Sequence, residues 1–99
     1  MMYKALYFDE VFNDIQKAKE WYKNKKVGLD ERFIESIESA FLKVLQMPTA
    51  YNVRYKNVRI AHPKIFPYNI HFYIDEEMKV VVFTGVVFNK RKNALKMKR

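Results

Sequence analysis

Phe66-Pro67-Tyr68-Asn69-Ile70-His71-Phe72-Tyr73-Ile74 alternates with a period of two over nine residues. Successive side chains of a strand point to opposite faces. Phe66, Tyr68, Ile70, Phe72 and Ile74 therefore share one apolar face, while Asn69, His71 and Tyr73 share the other. Such a strand lies on a hydrophobic layer with one side and leaves the second comparatively open. Asp75-Glu76-Glu77 reads as a turn. The run from Lys79 to Phe88 that follows is almost continuously apolar, as expected near the centre of a sheet. On the N-terminal side, Val58 to His62 alternates as well, and the period-two pattern as a whole begins after Tyr51.

Before Tyr51 the period is 3.6. Asp9 and Glu10 open a helix with carboxylates at the positive end of its dipole. Val11, Ile15, Ala18 and Tyr22 then form one buried face, flanked by Phe12 and Trp21. Lys23, Lys25 and Lys26 suit a helix C-terminus, and Gly28 can take the left-handed stop. A second helix repeats Leu29, Phe33, Ile37, Ala40 and Val44, with Asp30, Glu31, Glu35, Glu38 and Lys43 on its polar face. Pro48 ends it. Met2 to Phe8 reads as a first strand. The order is β-α-α-β-β-β, an α+β fold in which an N-terminal helical hairpin packs on one face of a small twisted antiparallel sheet.

Ninety-nine residues make a single domain, 1–99, whose last stretch (89–99) is a basic tail with six of the nineteen Lys and Arg. Hydrophobic residues are 49% of the chain and aromatics 16%, which excludes intrinsic disorder. The absence of cysteine removes a disulfide framework, a thiol nucleophile and Cys-based metal sites. No apolar run is long enough to span a membrane, and no signal-peptide pattern opens the chain, so a cytoplasmic domain is expected. Charge is uneven. Met1 to Glu38 holds seven basic and eight acidic side chains, net −1, whereas Ser39 to Arg99 holds twelve and three, net +9. That field attracts phosphates or an acidic protein.

Phosphate-binding glycine loops, zinc-helix motifs and nucleophile elbows are all missing. His62 and His71 come with no third ligand in sequence, so neither a metal nor a cofactor is expected. What remains is a basic and aromatic set assigned to the sheet side: Arg54, Lys56, Arg59, His62, Lys64, His71, Lys90, Arg91 and Lys92. Cations interleaved with aromatics hold single-stranded nucleic acid by phosphate neutralisation and base stacking. The same lysines also serve to keep a small aromatic-rich domain in solution.

Several stretches together resemble the RelE/ParE superfamily, toxins of bacterial type II toxin–antitoxin systems that include plasmid stabilisation proteins. They are Asp14-Ile15-(x5)-Trp21-Tyr22-(x5)-Gly28-Leu29-(x3)-Phe33, then Pro48-(x2)-Tyr51, then Val58-Arg59-(x6)-Phe66-Pro67-Tyr68-(x1)-Ile70, and the final strand ending Val86-Val87-Phe88. The resemblance spans about Met2 to Met97. It implies one of two activities. RelE-like members cleave mRNA on the ribosome, with basic side chains on the scissile phosphate; ParE-like members bind and poison DNA gyrase. Either kind is neutralised by a cognate acidic antitoxin, and both a homodimer and a heterotetramer with the antitoxin stay open.

At the closing motif, close to His-x-x-Arg-Asn/Asp-Pro in the family, this chain departs. In gap-free register the family His falls on Asn89, its Arg on Lys92 and its Pro on Ala94, while a one-residue shift brings Arg91 to the Arg position. An amide does not exchange protons near neutral pH, and lysine is a point charge where a planar fork is expected. The Arg that nucleases carry directly after the third-strand Tyr is here Asn69, and the tail has no Tyr. Arg59 matches the Arg common in the ParE-like branch, and two roles stay open for it: a functional cation, or an ion pair with a carboxylate of the hairpin.

The favoured reading is a ParE-like toxin; the alternatives are a RelE-type endoribonuclease and a non-toxic nucleic-acid-binding domain. Candidate catalytic residues are Arg59, Arg91 and Lys92, and candidate target- or phosphate-binding residues are Arg54, Lys56, Arg59, Lys90, Arg91 and Lys92. The tail is expected to be dispensable for folding but required for growth arrest.

Overall fold

The structure, a computed structural model, describes residues 2–90. Strand β1 (Lys4–Tyr7) leads into helix α1 (Asp9–Lys23) and helix α2 (Leu29–Gln46). A 3-10 turn (Pro48–Ala50) connects these to β2 (Val53–Tyr55), β3 (Val58–Ala61), β4 (Tyr68–Asp75) and β5 (Val80–Phe88). Five strands form one sheet in the order β1-β5-β4-β3-β2, with the helical hairpin on one face.

The expected faces are the observed ones. Val11, Ala18 and Tyr22 of α1 and Phe33, Ile37, Ala40 and Val44 of α2 are buried against Tyr68, Ile70 and Phe72 of β4 and Val81, Phe83 and Val86 of β5. Edge-on aromatic contacts lock the layers, with Phe33 against Phe66 at 5.3 Å and Tyr22 against Phe66 at 5.0 Å. The Tyr22 and Tyr68 ring centres lie 6.4 Å apart, and burial raises the pKa of both phenols. Gly28, at φ 85°, takes the left-handed conformation that a side chain resists and caps α2 from the preceding turn.

Three features differ from the sequence expectation. The sheet is mixed, not wholly antiparallel: β1 runs parallel to β5, Lys4 opposite Val80 through Tyr7 opposite Phe83. The helical hairpin carries the chain away from β1, and the last strand returns beside it in the same direction. An additional strand, β2, is three exposed residues long, too short for alternation to announce it. Finally, β5 contains a bulge. His71 faces Gly85 and Phe72 faces Phe83, so Thr84 has no partner of its own. The extra residue moves the core-facing positions from Val81 and Phe83 to Val86 and Phe88, opposite Ile70 and Tyr68.

Beyond Phe83, β5 has no β1 beside it. The Val86 N–H is instead bound by Asp14 of α1, whose Oδ2 accepts it at 2.9 Å. A carboxylate on a buried backbone N–H is a charge-assisted bond, and its loss leaves an unpaired donor. Asp14→Ala is expected to lower stability by about 2 kcal/mol, roughly 10 °C in melting temperature. Asp14→Asn, which keeps the acceptor oxygen, should recover most of that loss. Thermal unfolding of the three proteins by circular dichroism checks this.

Candidate functional site

The alternation of β4 sends Asn69, His71 and Tyr73 to the face away from the helices, each half-buried. There His71 lies opposite Ile60 of β3, and its Nδ1 shares a 3.0 Å hydrogen bond with the Tyr55 hydroxyl of β2. Burial lowers the His71 pKa from its ordinary 6.5, so the ring is neutral at pH 7. Two residues earlier, Asn69 Oδ1 accepts a 3.2 Å bond from Asn89 Nδ2, and the Asn89 backbone N–H donates to the Pro67 carbonyl at 2.7 Å. A polar stripe therefore crosses the open face, from the root of the basic tail to the β2 edge.

Of the sequence-derived basic set, His71 alone among the described members is part of that stripe. Arg54 is exposed on β2, and Lys56 is exposed in the β2–β3 turn, held at a φ of 49°. Arg59 pairs across strands with Phe72 and so lies on the helix side of the sheet. Its guanidinium donates to the Tyr51 carbonyl, tying β3 to the segment that leaves α2. The hairpin ion pair considered for Arg59 is not formed: among the described residues the one ion pair is Lys79 with Glu76. Arg59 and the nearby strand are instead stapled through a backbone carbonyl.

His62 and Lys64 stand beside α2, where the His62 Nδ1–H donates to the Tyr68 carbonyl at 3.3 Å and Ser36 Oγ–H to the Lys64 carbonyl at 2.6 Å. Lys90 is exposed, while Arg91, Lys92 and Ala94 lie outside the described residues. Asn89, the first residue of the 89–99 tail, is bonded to Asn69 and Pro67, and from residue 91 onward the tail lies outside the described residues.

Two grooves were not anticipated. One, of about 570 Å³, runs between the helices and β1 and is lined by Tyr7, Phe12, Ile34, Phe41 and Leu42, with Glu38 as its charged residue. The other, of about 650 Å³, separates α1 from the end of β5 and includes Asp14, Lys17, Trp21, Tyr68 and Phe88. The exposed apolar residues of helical sequence, Phe12 at 58% and Trp21 at 55%, were the available signal.

No protein-family model matches the sequence, and no curated protein matches it either. Solved structures do match in three dimensions. A chain of the chromosomal ParDE toxin–antitoxin system from P. aeruginosa superposes with a TM-score of 0.72 at 13% identity, covering 88% of this chain and 96% of that one. A chain of the toxin–antitoxin complex RelBE2 from Mycobacterium tuberculosis gives 0.64 at 16% identity, covering 89% and 99%. The chain therefore has the RelE/ParE fold.

Two outcomes follow from this geometry. The unfolded imidazole of His71 titrates near 6.5 and the folded one lower, so acidification protonates the unfolded chain first. Stability should fall as pH drops below about 6.5, and His71→Gln should flatten that part of the profile, as read from melting temperatures between pH 5 and 8. Arg59→Ala should cost about 1.5–3 kcal/mol through its lost charged hydrogen bond; urea unfolding measures it.

Proposed function

We propose that this chain is the toxin of a type II toxin–antitoxin module, of the ParE-like kind, which arrests growth by binding a target protein such as DNA gyrase. The observation that carries this reading is the Asn69–Asn89 pair. By the resemblance, these two positions hold the Arg and His of an RNA-cleaving relative. Here they are amides hydrogen-bonded to each other, and an amide neither transfers protons nor carries charge to a phosphate. The fold shared with ParDE and RelBE2 chains supports the toxin role itself.

The partner implied is an acidic antitoxin. The apolar groove beside Tyr7, Phe12 and Leu42 suits the apolar face of an amphipathic helix. Next to it, among the described residues, the outer edge of β1 has no neighbouring strand and offers backbone groups to an extended segment. The cations Arg54, Lys56 and Lys90 are exposed and supply long-range attraction for an acidic chain.

One observation favours a second reading, the RelE-type endoribonuclease. The neutral His71 ring, with one nitrogen held by Tyr55, is an acid–base group on the open face. Induced expression decides between them. The toxin reading expects growth arrest, relief on co-expression of the product of the adjacent gene, and co-purification of the two. The ParE-like branch further expects inhibited gyrase supercoiling and intact mRNA in primer extension. Cleavage within codons alongside normal supercoiling would transfer the assignment to the endoribonuclease. A harmless chain with no co-purifying neighbour would leave a nucleic-acid-binding domain.

A further inference from the structure

Lys17 and Trp21, four residues apart, share one side of α1, and Lys25 follows in the turn just beyond the helix end at Lys23. The Lys25 Nζ sits 4.6 Å from the centre of the Trp21 ring, a cation–π contact that holds both side chains in place. Trp21 and Lys17 wall the 650 Å³ groove whose far side is Tyr68 and Phe88. Lys90 stands two residues beyond Phe88 and is exposed.

The bland account of these lysines is helix termination, because cations favour a helix C-terminus. That effect is confined to the last turn, and Lys17 lies six residues before the end of α1 at Lys23. Neither are they neutralised. None of the three has a carboxylate within ion-pair distance among the described residues, and Glu20, their neighbour on α1, accepts a bond from Gln16 instead. Asp30 and Glu31 occupy the first turn of α2, where the helix dipole favours them. Asp14, the acidic residue of the lining, is directed at the Val86 N–H.

We propose that this groove binds a single-stranded nucleic acid, with a base stacked against Trp21 and Phe88 and the flanking phosphates met by Lys17, Lys25 and Lys90. The combination is a cationic rim around exposed aromatic rings, the arrangement that holds such strands without reading their sequence. An acidic protein segment is the competing ligand. A carboxylate has no ring to stack, whereas a base does, and the groove sets the exposed faces of Trp21 and Phe88 beside Lys17. The groove lies on the flank of α1, on the helix side of the sheet, and it does not depend on the toxin reading.

Trp21 is the only tryptophan in the chain and reports its own occupancy. The full chain is titrated with fluorescein-labelled oligo(dT) and oligo(U) 12-mers, reading both anisotropy and tryptophan quenching at several KCl concentrations. Saturable binding with quenching is expected for one or both. Which of them binds more tightly identifies DNA or RNA as the ligand. Trp21→Ala should weaken binding about tenfold and Trp21→Phe much less, because one stacking face is lost and then restored. Lys17→Gln with Lys25→Gln should reduce the log–log salt slope by about 1.4, two phosphate contacts on a single strand. A control with the same net charge, Lys43→Gln with Lys79→Gln, should leave the slope unchanged. Equal loss in both double variants would reduce the effect to overall charge and overturn the site. So would quenching by poly-glutamate as strong as by the oligonucleotides, equal affinity for a duplex of the same length, or an unaffected Trp21→Ala. Circular dichroism confirms that each variant is folded.

Discussion

The alternation of β4 is the constraint on which this molecule rests. Ile70 and Phe72 are fully buried between the sheet and the helices, and with Tyr68 they fix the register of the strand against β3 and β5. A slip of one residue would place Asn69, His71 and Tyr73 in an apolar layer, where their polar atoms would be unpaired. The same choice that buries the even-numbered residues therefore presents a half-buried polar stripe on the opposite face. Each member that is hard to bury finds a partner there: His71 through Tyr55, and Asn69 through Asn89. Core and surface chemistry are two consequences of one register.

Periodicity made that register legible, and with it both helical faces and the end of α2 at Pro48. What stayed hidden were features that depend on chain pairing. The bulge at Thr84 breaks no local pattern, since Val80 to Val87 is apolar at nearly every position whichever way it faces. Arg59 reads in sequence as a functional cation or a partner of a hairpin carboxylate, yet pairing opposite Phe72 places it where its guanidinium meets the Tyr51 carbonyl. Charge summation concealed the most. The first thirty-eight residues sum to −1, but five of their seven basic groups fall between Lys17 and Lys26, on the last turns and exit of a single helix. A sum over sequence discards the position of every charge, and position is what a ligand meets.

The amide pair and the His71–Tyr55 pair carry opposite implications although they share one face of one strand. Asn69 and Asn89 hold structure by mutual hydrogen bonding at positions where chemistry would require groups that titrate or carry charge. His71 can exchange a proton but is half-buried, and no described cation is bonded to it; Arg59, the nearest candidate by sequence, faces the other side of the sheet. Phosphodiester cleavage needs charge stabilisation as well as proton transfer, and preorganised charge is usually the larger contribution. The exposed candidates Arg54, Lys56 and Lys90 are spread over β2, the β2–β3 turn and the stretch after β5.

Dispersed charge also bears on stability. The chain carries +8 and, among the described residues, forms a single ion pair between exposed side chains. Self-repulsion of this kind opposes the compact state and is relieved only by counterions or by an oppositely charged partner. On the toxin reading, an acidic antitoxin does both things at once. It covers the apolar groove and the open β1 edge, and it compensates the field that the domain leaves unbalanced. Since a ligand that binds only the folded state stabilises it by mass action, the antitoxin that silences such a toxin also preserves it. Release from such a partner then yields a protein that is less stable than it was in the complex. On that reading, a cationic domain with a single ion pair among its described residues links its own persistence to the partner that inhibits it.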